Sequence, residues 1–493
     1  MLRRSFLPLA ANGLLRGQSP DARPDVFAGR YKQALEKLAG VDGPEAVYWR
    51  VRALIADKRP AEAKVEADNG FAKWPDAAAV MTARGMVHFR MGELSGAEEF
   101  FRRAVNKAGG FTYARVGMGA VFRAVSMQES ATSMTEMAIR EAPDDPALML
   151  QMADGARDRE GHLSWLSKAY ERMEPSTEAA KDLAAHIEAD QAMGDRTGSR
   201  LTSPYANYEI PLLDAYKNYD TRKYVRAVIN GNKPVRLLLD SCASGITLAE
   251  SYAKKYGLEQ LNVHNAGELR GIGDKKPMPL FRYRADSVQA GGVTYANRTV
   301  TVARRLTTDD EAGVIGTDVF DDFVITMDFP RRKLYLRTYE EETLPPGDRP
   351  IEASGPPRPG FFRFFRFGHL LMIPVLVGKE MKRGLFLIDT GAASILLSYE
   401  FGKSNLFKVK KTDAKLSGAQ GTVDRAYTAE NIELTFGGFK YPSSTLWSFE
   451  TKKLSDSIGA EMSGILGMRI LSQLEVTIDY RRGAARFLYK GGK

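Results

Sequence analysis

The sequence predicts a multidomain chain: an N-terminal all-α helical repeat, then two all-β lobes of one design that form a pseudo-dimer. Three observations predict it. Small residues recur at a fixed interval between about residues 44 and 145. After about residue 200, Ala, Glu, Lys and Arg at helical spacing give way to short alternating runs of Val, Ile, Tyr, Phe and Thr broken by Gly. Within that second half, three landmarks occur twice, in the same order and at near-equal spacing.

The repeat comes first. Ala63, Ala97 and Ala131 are evenly spaced, and Gly70, Ala104 and Ala138 keep the same interval. Gly85 and Gly119 are one such period apart, and Pro75 and Pro143 two. Helix axes approach closely only where side chains are short, so these positions mark helix crossings, and Phe89, Phe100 and Phe101 are expected to fill the core between them. The pattern resembles the tetratricopeptide repeat. Phe27–Gly43 and Ala147–Asp195 read as flanking helices, giving a helical domain over 25–198. Such an array offers a concave surface to a peptide or partner protein, or serves as a scaffold packed on the next domain.

The duplication follows. Leu237-Leu238-Leu239-Asp240-Ser241-Cys242-Ala243 aligns with Phe386-Leu387-Ile388-Asp389-Thr390-Gly391-Ala392. Gly313-Val314-Ile315-Gly316 aligns with Gly464-Ile465-Leu466-Gly467, and Thr326-Met327-Asp328 with Thr477-Ile478-Asp479. The interval from Asp240 to Gly316 nearly equals that from Asp389 to Gly467, and Asp328 and Asp479 stand equally far beyond their glycines. A hairpin ending in Val235–Leu239 leads into the first Asp, and another ending in Leu385–Ile388 leads into the second. The lobes are expected over 205–342 and 361–490, joined by a Pro/Gly linker at 343–360.

Each copy resembles the retropepsin-like aspartic protease lobe: an apolar strand, Asp-Thr/Ser-Gly-Ala, a glycine-containing flap hairpin, then two apolar residues and Gly. The resemblance implies an aspartic endopeptidase with a pepsin-like pairing of two lobes and a peptide or protein substrate. Asp240 and Asp389 would be its catalytic carboxyls. Ser241 and Thr390 occupy the hydroxyl position that bonds across the seam. Cys242, Gly391, Gly316 and Gly467 would support the loops. Gly271-Ile272-Gly273 and Gly418 to Gly421 are the flap candidates. Two carboxylates across one water fit amide hydrolysis: held close, they share one proton, so one acts as base while the other acts as acid.

The first copy departs from the pattern at Cys242, where the family has glycine. A left-handed backbone there would cost a side chain about 1–2 kcal/mol. Three readings stay open: an intact dyad that tolerates Cys242, a degenerate first lobe that makes the chain a non-catalytic peptide-binding protein, or a dyad built from the second lobes of two chains.

The remaining features bound the function. The chain has 493 residues, 44% hydrophobic and 27% charged, with a formal net charge of +9. Its basic residues are scattered without a block of like charge, which argues against nucleic acid as partner. No run reaches the roughly 18 apolar residues of a membrane helix. One cysteine excludes an internal disulfide, and the five histidines show no metal-ligand spacing, so neither metal nor cofactor is expected. Arg3-Arg4-Ser5-Phe6-Leu7 resembles a bacterial twin-arginine export signal within residues 1–24 and implies a periplasmic or other extracytoplasmic protein; if it is merely a basic start, the protein is cytoplasmic. Asp318, Asp321 and Asp322 read as a solvated turn, and Phe361–Phe367 as the first strand of a lobe with its arginines reaching outward.

Overall fold

The computed structural model describes residues 21–490 apart from 108–109, 157, 195–198, 217–219, 263–267, 270, 274–277, 305, 307–311, 340–357, 419–420 and 424. The export segment up to residue 20 and most of the linker therefore lie outside the described residues. No helix among those described is long and apolar enough to cross a membrane.

Helices run from Arg23 to Ala192, consecutive ones packed on each other. Pro44, Pro60 and Pro146 each open a helix, where a missing N–H costs nothing. Ala63, Ala97, Ala104, Ala131 and Ala138 are all fully buried, as the regular spacing requires. A Cβ on Gly70 would come within 2.6 Å of Val47, and one on Gly85 within 2.6 Å of Phe101. Phe101 is wedged between Gly85 and Gly117 and alone of the three expected phenylalanines is fully buried. Phe100 instead stacks on His88, and Phe89 turns out of the array to meet Phe367, with ring centroids 5.7 Å apart. A helix has one face for its own array and one for its neighbour; sequence periodicity does not say which neighbour a given aromatic meets.

The β region holds two closed rings of six strands with the same order. In the first lobe the ring runs Lys223–Ile229, Val235–Asp240, Gly313–Gly316, Ile246–Ala249, Val293–Ala303, Met278–Ala290 and back to the start. In the second it runs Leu370–Val377, Lys382–Ile388, Gly464–Leu466, Leu396–Ser398, Phe439–Phe449, Ala426–Phe436 and back. In each, the glycine-flanked strand lies parallel to the strand that delivers the motif Asp and antiparallel to the one that leaves it. This threading leaves no room for side chains: a Cβ at Gly313 would collide with the Thr247 carbonyl, and one at Gly464 with the Phe386 ring.

A third sheet of six strands joins the lobes, in the order Phe362–Arg363, Ala484–Tyr489, Leu474–Asp479, Val324–Asp328, Lys333–Arg337, Tyr208–Pro211. Its two central strands are the third landmark of each copy. Thr326 pairs with Thr477 across the pseudo-twofold, their hydroxyls 3.0 Å apart. Asp328 and Asp479, both fully buried, close equivalent turns by accepting from the backbone N–H and guanidinium of Arg331 and Arg482, all at 3.0 Å. One continuous apolar core runs through both lobes, from Leu237 and Leu239 to Ile388 and Leu466.

The helical array is seated on both lobes. Arg90, 4% exposed, pairs with Asp456 at 2.6 Å and Glu461 at 3.1 Å of the second lobe, and its carbonyl accepts from the Glu461 N–H at 2.7 Å. Met118, Phe122 and Val125 share an apolar cluster with Phe365, Phe367, Leu385 and Leu387. Phe361–Phe367 thus splits: Phe362–Arg363 joins the inter-lobe sheet, while Phe365 and Phe367 face the helices. On the first lobe, His186 meets Arg282 at 2.7 Å, and Ala189 and Met193 pack with Leu261.

Candidate active site

Asp240 ends its strand at the seam between the lobes, and Asp389 follows directly on its counterpart, Lys382–Ile388. Fully buried apolar side chains precede each carboxyl, Leu237 and Leu239 in the first lobe and Phe386 and Ile388 in the second, and these pin the strand ends in the core. The two loops are locked by reciprocal bonds. The Ser241 N–H donates to Thr390 Oγ1 at 3.0 Å, and the Thr390 N–H donates to Ser241 Oγ at 3.1 Å. Each hydroxyl then donates to the backbone of the opposite strand: Ser241 to the Ile388 carbonyl at 2.6 Å, Thr390 to the Leu239 carbonyl at 2.8 Å. All four bonds are buried, where each is electrostatically strong and expensive to leave half-made.

These bonds bring Asp240, Asp389 and Cys242 together, with one ligand atom of each within 4.8 Å of the others. Asp389 Oδ1 accepts from the N–H groups of Gly391 at 2.9 Å and Ala392 at 2.8 Å. Asp240 Oδ1 accepts from the Cys242 N–H at 2.8 Å. Burial, reinforced by the Asp240 charge, pushes Asp389 up to about 7. Burial also raises Asp240, against the opposing pull of the Cys242 N–H and of His369. A carboxyl pair with raised pKa values holds a proton at pH values where lone carboxylates are bare.

The departure from the family pattern has a local solution. Neither Cys242 nor Gly391 has a left-handed backbone, so the expected conformational penalty at Cys242 does not arise. Gly391 is required by space instead: a Cβ there would lie 2.5 Å from the Asp240 carboxyl carbon. Across the seam the Cys242 side chain is accommodated, its Sγ 3.5 Å from the Ile388 carbonyl. Burial and the two flanking carboxylates drive its thiol pKa well upward, which keeps it a neutral thiol.

Gly316 and Gly467 each back a motif loop. A Cβ on the first would collide with Asp318 and the Ala243 carbonyl, and one on the second with the Ser394 carbonyl. Asp318 is no solvated turn: its carboxylate accepts from the Gly245 N–H at 2.9 Å and from Ser244 at 3.2 Å, tying down the loop after Asp240. In the second lobe the Met468 and Arg469 N–H groups donate to the Ala392 and Ala393 carbonyls at 2.7 and 2.9 Å.

The flap candidates also meet. Glu268–Leu269 pairs with Met278–Pro279 beside Gly271-Ile272-Gly273, and Ser417–Gly418 pairs with Gly421–Thr422. Ala419 and Gln420, at the second tip, lie outside the described residues. A Cβ on Gly418 would stand 2.7 Å from that of Ile272, so the two hairpins touch. Ile272, Cys242, Ala392, Leu416 and Val423 belong to the same apolar cluster that seats the helices on the second lobe. Sequence reasoning missed one neighbour of the two aspartates: His369, whose Nε2 lies 3.0 Å from the Cys242 carbonyl. It comes from a turn far along the chain in the second lobe, and nothing in its local sequence marks it.

Two closed β lobes of one topology are joined by a shared sheet and meet at a pair of aspartates. The lobes are retropepsin-like aspartic-protease lobes: the family model described as aspartyl protease matches residues 225–319 and again 373–470. Among solved structures, the chain is similar to an aspartic proteinase from Irpex lacteus, at 11% identity over 58% of this chain and 97% of that one, with a TM-score of 0.35. It is also similar to a retropepsin-like aspartic protease from Rickettsia conorii, at 17% identity over 28% of this chain and 96% of that one, with a TM-score of 0.21. A search of the curated proteins found no match.

Proposed function

We propose that the protein is an aspartic endopeptidase in which Asp240 and Asp389, one from each lobe of a single chain, hold and activate the water that attacks a peptide carbonyl. The observation that carries this reading is the approach of the two carboxyls at a seam locked by the Ser241–Thr390 bonds. The pair shares one proton. Its ionised member takes a proton from water as the oxygen attacks, and its protonated member donates to the carbonyl oxygen; the proton gained from water then goes to the leaving nitrogen, and as the C–N bond breaks the other carboxylate takes back the proton it gave to the carbonyl oxygen. Which carboxyl holds the proton at a given instant is a property of the pair. The touching hairpins, Ile272 against Gly418, would have to part to admit a chain and close again over it.

The test is cleavage of a mixed peptide library by the full chain, with and without pepstatin. Loss of activity in both Asp240→Asn and Asp389→Asn is expected. Activity surviving Asp240→Asn and rising with protein concentration would replace this reading by a dyad built from two second lobes. A wild type that cleaves nothing at any pH would leave a peptide-binding protein.

A further inference from the structure

We propose that Cys242 makes the dyad a binding site for a thiophilic divalent cation, Zn2+ or Cd2+, ligated by Asp240, Asp389 and the Cys242 sulfur. Its inhibitory consequence rests on the proposed peptidase reading; the binding itself does not.

Three residues of two ligand chemistries converge here, from two loops that the seam holds rigidly. One ligand atom of each lies within 4.8 Å of the other two. A tetrahedral zinc with Zn–S near roughly 2.3 Å and Zn–O near roughly 2.1 Å needs ligand atoms roughly 3.5 Å apart. Closing on an ion therefore takes side-chain shifts of about an ångström, with no change of backbone. The carboxylates are already oriented by backbone donors, Asp240 by the Cys242 N–H at 2.8 Å and Asp389 by those of Gly391 and Ala392 at 2.9 and 2.8 Å, which is the outer support that metal ligands need. Two carboxylates alone form a hard oxygen site suited to Mg2+ or Ca2+. Adding sulfur shifts the preference to Zn2+ and Cd2+. A glycine at this position, as at Gly391 in the second lobe, offers no such ligand.

A second cluster in the molecule has metal-ligand composition, and its geometry argues against a metal. His162, His186 and Asp190 also bring ligand atoms within 4.8 Å of one another. There the Arg282 guanidinium lies 2.7 Å from His186 Nδ1. A His that binds metal through Nε2 carries its proton on Nδ1 and needs an acceptor there. Arg282 presents a donor and a positive charge instead. This trio is better described as a polar contact between the helical array and the first lobe.

A cation between the aspartates would occupy the place of the attacking water and hold both carboxylates ionised, so bound metal would stop hydrolysis. On binding, the thiol proton and any proton held by the carboxyl pair pass to solvent, and the metal keeps its oxidation state.

The test uses the full chain stripped of metal and titrated with Cd2+, read by equilibrium dialysis and by the ultraviolet thiolate-to-cadmium charge-transfer absorption. One cadmium per chain with that absorption is expected at this site. Cys242→Ser should lose the absorption and bind at least about tenfold more weakly, and Asp389→Asn should also weaken binding. His162→Ala with His186→Ala should retain both absorption and affinity. Should Cys242→Ser fold poorly, Cys242→Gly substitutes the residue that the second lobe carries. Absence of the absorption in the wild type, or equal cadmium affinity in the Cys242 variants, would overturn the proposal. In the peptide assay, Zn2+ should inhibit the wild type at concentrations at least about tenfold below those needed for Cys242→Gly. Equal zinc sensitivity would overturn the inhibitory role. A wild type that never cleaves would sink the peptidase reading and leave the cadmium result standing.

Discussion

The two lobes solve the same local problem with different residues at the third motif position. In the second lobe Gly391 leaves room for the Asp240 carboxyl, and a Cβ would displace it. In the first lobe Cys242 is tolerated against Asp389, its Sγ resting by the Ile388 carbonyl. The loops after the motifs differ too: Asp318 fastens the first with a carboxylate, whereas backbone bonds fasten the second. A duplicated lobe need not stay symmetric at its seam. The pseudo-twofold constrains strand order, the threaded glycine strands and the reciprocal hydroxyl bonds; it does not constrain which side of the dyad yields space.

This comparison can be broken or sharpened by substitution. The largest effect is expected from the aspartates, since on the proposed reading Asp240→Asn and Asp389→Asn each remove a partner from proton transfer. Each should lower kcat by about a thousandfold or more in the peptide assay, and a surviving Asp240→Asn would show that the first lobe does not contribute.

Next comes the space requirement. Gly391→Ala should cost about 1–3 kcal/mol in denaturant unfolding and lower kcat further by moving Asp240. The mirror change Cys242→Gly should cost no more than about 1 kcal/mol. Equal costs for the two would refute the asymmetry.

Ser241→Ala and Thr390→Val each strip a hydroxyl from the locked seam. Each should cost about 1–3 kcal/mol because a buried partner is left unsatisfied, with less than the sum lost in the double variant, since the bonds are reciprocal.

Per pH unit, the smallest effect is the pH dependence of stability. Asp389 is raised to about 7, so the native state holds a proton that an unfolded carboxyl releases near its ordinary 3.8. The stabilisation is fully present below the unfolded value and is lost as pH rises through about 7, with a slope of at most about 1.4 kcal/mol per pH unit. Unfolding curves across that window should show stability falling with pH, and Asp389→Asn should flatten the fall. The same deprotonation should lower peptide cleavage above about pH 7.

Much of the fold was legible because its rules are local. Alternating apolar residues gave strands, alanines at a fixed period gave helix crossings, and doubled landmarks gave a duplicated lobe. The seam hydroxyls were legible through the resemblance, whose pattern places a hydroxyl residue directly after each aspartate. Phe89 shows where locality ends: its helix is plain from sequence, while its partner, Phe367, belongs to the second lobe at the far end of the chain. His369 carries no local mark either, and becomes a neighbour of Cys242 only when the second lobe closes on the first.

By itself the sequence determined two lobes of one design, their order after a helical array, and the pair of aspartates that mark their motifs. Side-chain periodicity and repeated spacing are written along the chain and need no partner to be read. Tertiary structure alone decided that Gly391 is needed for space and not for backbone conformation, that Cys242 fits beside the two aspartates, and that the helices rest on both lobes. Each of these depends on atoms brought together from distant segments. Their separation is set by packing and by hydrogen bonds across the seam, which no single segment encodes.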